Sequence, residues 1–294
     1  MISVVIPVHN RKAFTEQCLA CLSDQTYRNF QAIVVDDGSS DGTAEMIRQK
    51  FPDTVILTGD GSLWWTEATN WGIRYALQHQ DRNEANFVLT LNDDTKMEPD
   101  YLQSLLDAYA RFQPCLIGSV SVNSDEPNKL EFCGTVCELY LAGGRHMAED
   151  YNFDYQELVK RTDHVVSDSL PGRGTLIPME VFEKIGLFDS RKYIHYMSDI
   201  DFSVRAKKAG YPLIVDVKSV VQEFVSASGI QVERMITTKQ FIESFTSIKS
   251  PTNLKVRYNF AIDHSKTKLV YFCFDVGRIC AGFFLRKMRL MKPL

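Results

Sequence analysis

Residues 32–43 read AIVVDDGSSDGT, an apolar strand pattern that ends in acidic and turn-forming residues. Four consecutive apolar side chains are typical of a strand buried on both faces of a sheet. Aspartate, glycine and serine favour a tight turn after it, and a helical pattern follows from about Thr43 to Lys50. This order of strand, turn and helix is the unit of parallel α/β sheets.

Neighbouring segments repeat this order. Further strands are predicted over residues 2–8, 55–57, 87–91 and 116–122, with helical patterns over about 14–22, 67–80 and after Asp100. The alternation predicts a mostly parallel, Rossmann-like sheet that is flanked by helices. We therefore predict an α/β fold in which residues 1–122 form a nucleotide-binding half.

The second half of the predicted domain covers residues 123–230. Up to Asp168 it is polar, with short strands, a texture typical of loops that carry acceptor-binding residues. Regular patterns return over residues 170–177, and a helix over about 199–210 and a strand over 213–217 follow. We predict one domain over residues 1–230 and a helical C-terminal extension over residues 231–294.

The composition excludes some classes of function. The chain has 294 residues, of which 45% are apolar, and this is enough for one large core. The net charge of -4 gives no basic surface for nucleic acid, so we predict no nucleic-acid partner. Seven cysteines without metal-knuckle spacing favour a reducing, cytoplasmic location. Cys18 and Cys21 have CxxC spacing but fall within a helical pattern, which favours core packing.

Residues 266–294 mix basic side chains with phenylalanine, leucine, tyrosine and methionine. This pattern is typical of a basic amphipathic helix on a membrane surface. A helix that packs on the domain or on a partner subunit, as in a homodimer, fits the same pattern. No apolar run in the chain reaches the roughly 18 residues that span a bilayer, so we predict a soluble or peripheral protein.

Three groups of acidic residues stand where a ligand would bind. Asp36–Asp37 and Asp93–Asp94 follow strands whose carboxyl ends share one edge of the predicted sheet, the usual ligand site in such folds. The second pair offers oxygen ligands for a divalent cation, and the first can accept a hydrogen bond from a nucleobase. Asp199 fits a general base or a first-turn acid, and Asp201 is equally available. Each group alone also fits a turn or a helix cap.

Five segments, taken together, resemble the family-2 glycosyltransferases. Three lie in the first half: VVIPVHN at 4–10, VVDDGSSDGT at 34–43, and LNDDT at 91–95 followed by Pro99 and Asp100. Two lie in the second half, FEKIGLFD at 182–189 and SDIDFSVRAKKAGY at 198–211, and resemble rhamnosyltransferase-like bacterial members. The resemblance covers about residues 1–225 and is specific as a set.

The resemblance implies a GT-A fold and an inverting transfer of a sugar from a UDP- or dTDP-sugar to a hydroxyl of a glycan or lipid-linked saccharide. It implies Mg²⁺ or Mn²⁺ with Asp94 as the main ligand, and Asp199 as the general base. The implied nucleotide-binding residues are Pro7, His9, Asn10, Asp37, Asp60, Asn70 and Asp93, and the implied acceptor-binding residues are Arg173, Gly174 and Ser198. With the basic tail, it suggests surface polysaccharide assembly at the inner face of a membrane.

Two positions depart from the family pattern. Ser198 stands where many relatives have an acidic residue, and Gln222 stands where many have a metal-binding histidine. An amide oxygen can bind a hard cation, so Gln222 remains a candidate ligand. The departures keep open a GT-A scaffold that binds nucleotide sugars without turnover. A flavodoxin-like receiver is a third alternative. Trp64 and Trp65 either stack on the donor or pack in the core.

Overall fold

The predicted α/β core forms a ten-stranded sheet, with a separate two-stranded ribbon. The computed structural model describes residues 1–79, 85–224 and 237–290. The strands, in chain order, are β1 Ile2–Val8, β2 Phe30–Asp36, β3 Val55–Thr58, β4 Phe87–Thr90, β5 Thr95–Lys96, β6 Leu116–Asn123, β7 Leu130–Phe132, β8 Thr135–Val136, β9 Arg145–His146, β10 His164–Val166, β11 Thr175–Pro178 and β12 Leu213–Glu223. Strands β8 and β9 form the ribbon.

Helices connect the strands and make up the described part of the extension. They are α1 Lys12–Ser23, α2 Thr43–Lys50, α3 Trp64–His79, α4 Tyr101–Phe112, α5 Tyr155–Arg161, α6 Met179–Ile185, α7 Ser198–Lys208, α8 Thr238–Ser244, α9 Leu254–His264 and α10 Leu269–Leu290, with a 3-10 helix at Met147–Tyr151. Side-chain caps define several starts. Thr237 and Gln240 form a capping box at α8, and Asn253 caps α9.

The sheet is mostly parallel, which confirms the predicted fold class. Its strand order is β10-β12-β6-β11-β4-β1-β2-β3, with β5 on β12 and β7 on β6. Strand β1 pairs in parallel with β2 and β4, and β6 pairs in parallel with β12. Strand β11 is antiparallel between β4 and β6. Because β11 runs in the opposite direction, the loop before it lies at the carboxyl ends of its neighbours.

The core lies on both faces of the sheet. Alternation along each strand sends Val5 and Ile33 to one face and Ile6 and Val34 to the other. These side chains are at most 1% exposed, and each buried side chain of this size contributes about 1.5–3 kcal/mol. Cys18 packs in the second of these clusters, and its burial raises the pKa of its thiol. This supports a packing role for Cys18.

The extension packs on α7. Phe260 and Tyr271 join Tyr193, Met197 and Val204 in a third apolar cluster. The predicted helical extension is confirmed for residues 237–290, whereas residues 225–236 and 291–294, including Lys292, lie outside the described ranges. The predicted boundary at residue 230 falls in one of those gaps. It stays a prediction.

Helix α3 and strand β12 are two of the elements whose bounds differ from the sequence prediction. Helix α3 begins at Trp64 rather than near residue 67, and Gln80 lies outside the described residues. Strand β12 continues six residues beyond the predicted end at Val217. A register shift between Asp216 and Val220 interrupts the alternation, and the Asp216 carboxylate accepts hydrogen bonds from the Ser219 amide and hydroxyl there. This irregularity hides the continuation from a pattern search.

Within the described ranges, no helix has both the length and the apolar character needed to cross a membrane. This includes α10, the 22-residue helix at the end of the extension.

Candidate active site

A cavity of about 660 Å³ opens at the carboxyl ends of the central parallel strands. Its walls come from the loops after β1, β2 and β4, from residues 172–173 before β11, from residues 195–199, and from Lys249 of the extension. The predicted site residues that line it are Pro7, His9, Asp37, Asp93, Asp94, Arg173 and Asp199. Parallel strands end at one edge of a sheet, which is why residues so distant in sequence meet here.

Asp37 fixes one wall of the cavity. Its carboxylate accepts hydrogen bonds from the backbone amides of Gly61, Leu63 and Trp64, at 2.8, 3.0 and 3.1 Å. His9 Nδ1 donates to the Asp37 carbonyl oxygen, in the tautomer that leaves Nε2 to accept from Asn10. The carboxylate therefore shapes the loop that begins α3 and also faces the cavity.

Asp93 and Asp94 form a carboxylate pair beside Arg11. The Arg11 guanidinium lies 3.4 Å from Asp93 Oδ2 and 3.0 Å from Asp94 Oδ2. Burial, with a smaller contribution from Asp94, raises the pKa of Asp93 to about 7, against the opposing effect of Arg11. Among the described residues, the buried Asp93 Oδ2 accepts no hydrogen bond. A pair of carboxylates with an unsatisfied buried oxygen fits the oxygen ligands that Mg²⁺ and Mn²⁺ prefer.

Asp199 lies at the start of α7 and faces the cavity. Its Oδ1 accepts a hydrogen bond from its neighbour Ile200 at 2.9 Å, and its Oδ2 accepts one from the Gly172 amide at 3.2 Å. Burial raises the pKa of the carboxyl group, while these amides and the nearby Arg173 act in the opposite direction. A carboxylate with a raised pKa is a stronger base than an ordinary aspartate.

The loop before β11 holds Asp199 in place through close packing. A Cβ atom on Gly172 would lie 2.1 Å from Cζ2 of Trp65, so only glycine fits. Trp65 in turn donates from Nε1 to Asn92 Oδ1 at 2.9 Å and packs edge-on against Phe188. Trp65 therefore belongs to both the core and the cavity wall.

The opposite rim combines Trp64 and His195 with Lys249, a cation that the sequence interpretation did not assign. The Trp64 ring lies 5.8 Å from the His195 ring, and Lys249 Nζ lies 5.8 Å from the centre of Trp64. Burial, followed by the charge of Lys249, lowers the pKa of His195. In the described part of the chain Lys249 forms no ion pair with a carboxylate. Lys249 lies in the extension, far in sequence from the quoted motifs, so the motifs do not predict its place at the cavity.

Glu223 is a second residue that the sequence interpretation missed. Its side chain is 12% exposed and accepts hydrogen bonds from Arg173 Nε and Ser121 Oγ. Burial raises the pKa of Glu223, and Arg173 opposes this effect. The negative charge of Asp94 also contributes to raising the pKa of Glu223. Because the sequence predicts that β12 ends at Val217, the hydrophobic pattern does not indicate which of residues 222 and 223 faces inward.

Gln222, the predicted metal ligand, does not line the cavity. It lies next to Glu223 on a strand, where successive side chains point to opposite faces. It pairs with Lys96 of β5, and its Nε2 donates to Glu98 at 3.4 Å. Glu223, which likewise does not line the cavity but contacts Arg173, points to the other face of the strand. Metal binding by Gln222 stays a prediction.

Five other predicted site residues also do not line the cavity: Asn10, Asp60, Asn70, Gly174 and Ser198. Asn10 accepts a hydrogen bond from the Ser40 amide, and Asp60 accepts one from the Ser62 amide. Both contacts stabilise loops at the rim. The roles that the resemblance implies for these residues stay predictions.

The remaining three residues make buried contacts. Both ends of the Asn70 amide bond to the backbone of Phe188, at 2.9 and 3.1 Å. Ser198 accepts from the Thr66 hydroxyl at 3.0 Å. Gly174 has φ +78°, and a Cβ atom there would lie 2.7 Å from the hydroxyl oxygens of Ser119 and Tyr101. These residues connect α3, α7 and β11 behind the cavity.

Curated relatives of the chain are glycosyltransferases. It is 26% identical over 224 residues to the N-acetylglucosaminyl-diphospho-decaprenol L-rhamnosyltransferase of Mycobacterium tuberculosis, covering 72% of each chain. It is 26% identical over 219 residues to glycosyltransferase AglE of Haloferax volcanii, covering 72% of this chain and 63% of that protein.

Solved structures show the same fold at low sequence identity. S. aureus TarS, residues 1–349, superposes with a TM-score of 0.57 at 14% identity, covering 99% of this chain and 72% of that one. GalNAc-T7 with UDP, GalNAc and Mn²⁺ superposes with a TM-score of 0.61 at 13% identity, covering 96% and 57%. Both are GT-A glycosyltransferase folds.

The family comparison agrees with these relatives. The sequence model described as "Glycosyl transferase family 2" matches residues 3–186, which is more than half of the chain and includes the strands that carry Asp37, Asp93 and Asp94. The chain belongs to glycosyl transferase family 2.

Proposed function

We propose that the chain transfers a sugar from a UDP- or dTDP-sugar to a hydroxyl of a lipid-linked saccharide, with inversion at the anomeric carbon. One observation carries the proposal: the Asp93–Asp94 pair and the Asp199 carboxylate face the same cavity. This supplies a cation site and a base for a single displacement. The named activity of the mycobacterial relative, which acts on a diphospho-decaprenol saccharide, supports the acceptor class.

In this mechanism Asp199 accepts the proton of the acceptor hydroxyl as its oxygen forms a bond to the anomeric carbon. The bond from that carbon to the diphosphate breaks, and the electron pair leaves with the phosphate oxygen. The Gly172 amide keeps the Asp199 carboxylate oriented. Arg11 and Arg173 place positive charge on the cavity wall near the departing diphosphate.

Asp94, with the unsatisfied oxygen of Asp93, would hold the divalent cation. Bound Mg²⁺ or Mn²⁺ would neutralise the diphosphate and stabilise it as a leaving group. Gln222 is a weak candidate for a further ligand because its amide contacts Glu98 on the other side of β12. Glu223 is better placed to orient Arg173. We place the reaction at the inner face of the membrane, where a cytoplasmic enzyme would meet a lipid-linked acceptor.

The test measures nucleoside diphosphate release from a panel of UDP- and dTDP-sugars, with Mn²⁺ or Mg²⁺ and lipid-linked acceptors. Wild type should release the diphosphate, and both Asp94→Asn and Asp199→Asn should lose release. Asp199→Asn should still bind the donor, whereas Asp94→Asn should lose the metal-dependent part of binding. The anomeric configuration of the product, read by NMR coupling constants, tests inversion. Donor binding by wild type without release from any pair would support the scaffold alternative instead.

A further inference from the structure

Helix α10 exposes an apolar face. Its other face packs inward through Tyr271 and Phe283, and the Phe283 ring stacks on Phe241 at 4.1 Å. The large apolar side chains that remain between 49% and 57% exposed are Leu269, Val270, Phe274, Phe284, Leu285 and Met288. A surface helix of a globular protein normally turns polar residues to water. Helix α10 does the reverse along one side.

Most of these side chains lie on one face of the helix and form an apolar stripe. At 3.6 residues per turn, positions 270, 274, 281, 284 and 288 recur at the spacing of a single helix face. Val270 and Met288 stand at its two ends, so at 1.5 Å per residue the stripe is about 27 Å long. Exposed apolar stripes of this extent mark interaction surfaces.

The charge around the stripe is basic. Residues 266–290 contain six lysines and arginines and one acidic residue, in a chain whose net charge is -4. The acidic residue, Asp275, is buried and pairs with Arg257 and Arg278 at 3.1 and 3.0 Å. By helical position, Arg278 and Lys287 stand on opposite edges of the stripe. An apolar centre with basic edges is complementary to the interface of an anionic bilayer.

A second copy of the chain fits this surface less well. In a two-fold contact the same patch meets itself, so two surfaces that both carry the positive charge of Arg278 and Lys287 would face each other. No acidic side chain on the described exposed part of α10 would offset them. Charge complementarity therefore favours anionic lipid headgroups.

We propose that the exposed face of α10 docks in the plane of an anionic lipid bilayer. Apolar side chains such as Phe274 and Phe284 enter the interface, and the flanking lysines and arginines contact lipid phosphates. The inference rests on the proposed function only for its purpose, since a lipid-linked acceptor would lie in that bilayer. Docking itself needs neither donor nor turnover.

The test is co-sedimentation of the full chain with vesicles of phosphatidylcholine containing 30% phosphatidylglycerol, compared with pure phosphatidylcholine. Wild type should bind the anionic vesicles at least about tenfold more strongly, and binding should weaken as salt is raised. The double variant Phe274→Asp with Phe284→Asp should lose at least about tenfold in binding. Lys266→Glu with Lys287→Glu should remove the preference for the anionic vesicles.

The matched control is Val159→Asp on α5, which also replaces an exposed apolar side chain with aspartate. Val159 is 45% exposed. It should bind vesicles as wild type does. Circular dichroism and donor affinity confirm that each variant folds. Equal binding of wild type and the Phe274, Phe284 variant, or no preference for anionic vesicles, would overturn the inference. A dimer in light scattering that the same variant dissociates, without vesicle binding by wild type, would also overturn it and assign the surface to a second copy.

Failure of vesicle binding leaves the proposed chemistry untouched, because the assay of diphosphate release contains no vesicles. Conversely, a chain that binds vesicles but releases no diphosphate would retain the docking surface and lose the proposed function. The two measurements, made on the same protein preparations, therefore test the docking surface and the proposed function independently.

Discussion

At the residue scale, the burial of Asp199 decides how the site should respond to pH. A general base must be ionised to accept a proton, and burial raises the pKa of Asp199 above that of a free aspartate. Activity should therefore fall, as pH decreases, at a higher pH than an ordinary carboxyl group would give. The pH dependence of kcat at saturating donor measures this limb.

Asp199→Asn keeps the size of the side chain and removes the base. We expect kcat to fall about 10²- to 10⁴-fold with little change in donor affinity, because Asp199 is proposed to act on the acceptor. Asp125→Asn, at an exposed position outside the cavity, should leave kcat unchanged. A variant that loses donor binding and kcat together would assign Asp199 to the donor instead.

The site residues that follow the ends of strands could be predicted from the sequence. Asp37, Asp93 and Asp94 follow apolar runs, so their shared edge can be anticipated from the sequence. Arg11 and Glu223 could not be anticipated in this way. Arg11 reaches the carboxylate pair from a loop with no diagnostic spacing, and Glu223 faces inward only because β12 shifts register between Asp216 and Val220.

At the element scale, the loop before β11 depends on glycine for its approach to α3. Gly172→Ala would place Cβ against the Trp65 ring and move the amide that supports Asp199. We expect a loss of about 1–3 kcal/mol in the free energy of unfolding, together with a lower kcat. Urea denaturation and steady-state kinetics measure these effects.

Gly143→Ala serves as the control for that loop. A Cβ atom on Gly143 has no neighbour nearer than 3.7 Å, so stability and kcat should stay close to wild type. If Gly172→Ala behaved in the same way, the close packing of Trp65 would have no role in holding Asp199.

A buried hydrogen bond joins α9 to α7. His264 Nε2 and Asp201 Oδ1 are 2.7 Å apart, and both side chains are 4% exposed. Burial opposes ionisation of Asp201, but the hydrogen bond from His264 and the charge of Arg205 prevail and lower its pKa. His264→Ala should cost about 3 kcal/mol of unfolding free energy, because it leaves a buried carboxylate with one partner fewer.

Hydrogen exchange at α9 should rise in that variant. Lys192→Ala is the comparison, because it removes the more exposed ion pair between Lys192 and Asp263 of α9, whose charged atoms are 2.9 Å apart. Exposed ion pairs contribute at most about 1 kcal/mol to the free energy of unfolding. Equal losses in the two variants would mean that the buried pair does not secure the extension.

At the scale of the whole molecule, the extension completes the catalytic domain. Phe260 and Tyr271 cover Tyr193 and Val204, and Lys249 reaches the cavity. A chain that ends at residue 236 should therefore lose about 1.5–3 kcal/mol for each large apolar side chain that it uncovers. Urea denaturation, with the full chain as reference, measures the loss. Equal stability of the two chains would show that the extension is a separate appendage.

The overall architecture followed from the alternation of strands and helices, since apolar runs of strand length between helical patterns permit few arrangements. The docking of the extension did not follow. Residues 266–294 read as a basic amphipathic helix. The surface that the extension buries against, on and just before α7, contains side chains such as Met197 and Val204 that belong to no recognisable stripe. The fit between the extension and this surface arises only after both have folded, so the sequence pattern does not predict it.

The position of Lys249 also sets the order in which the site is completed during synthesis. Ribosomes make a chain from its N-terminus, so all the carboxylates of the cavity are present before Lys249, which follows Asp199 by 50 residues. At common elongation rates this interval is about 3–10 s. A nascent chain therefore passes through a stage in which the ten-stranded sheet is complete but Lys249 is still missing from the cavity.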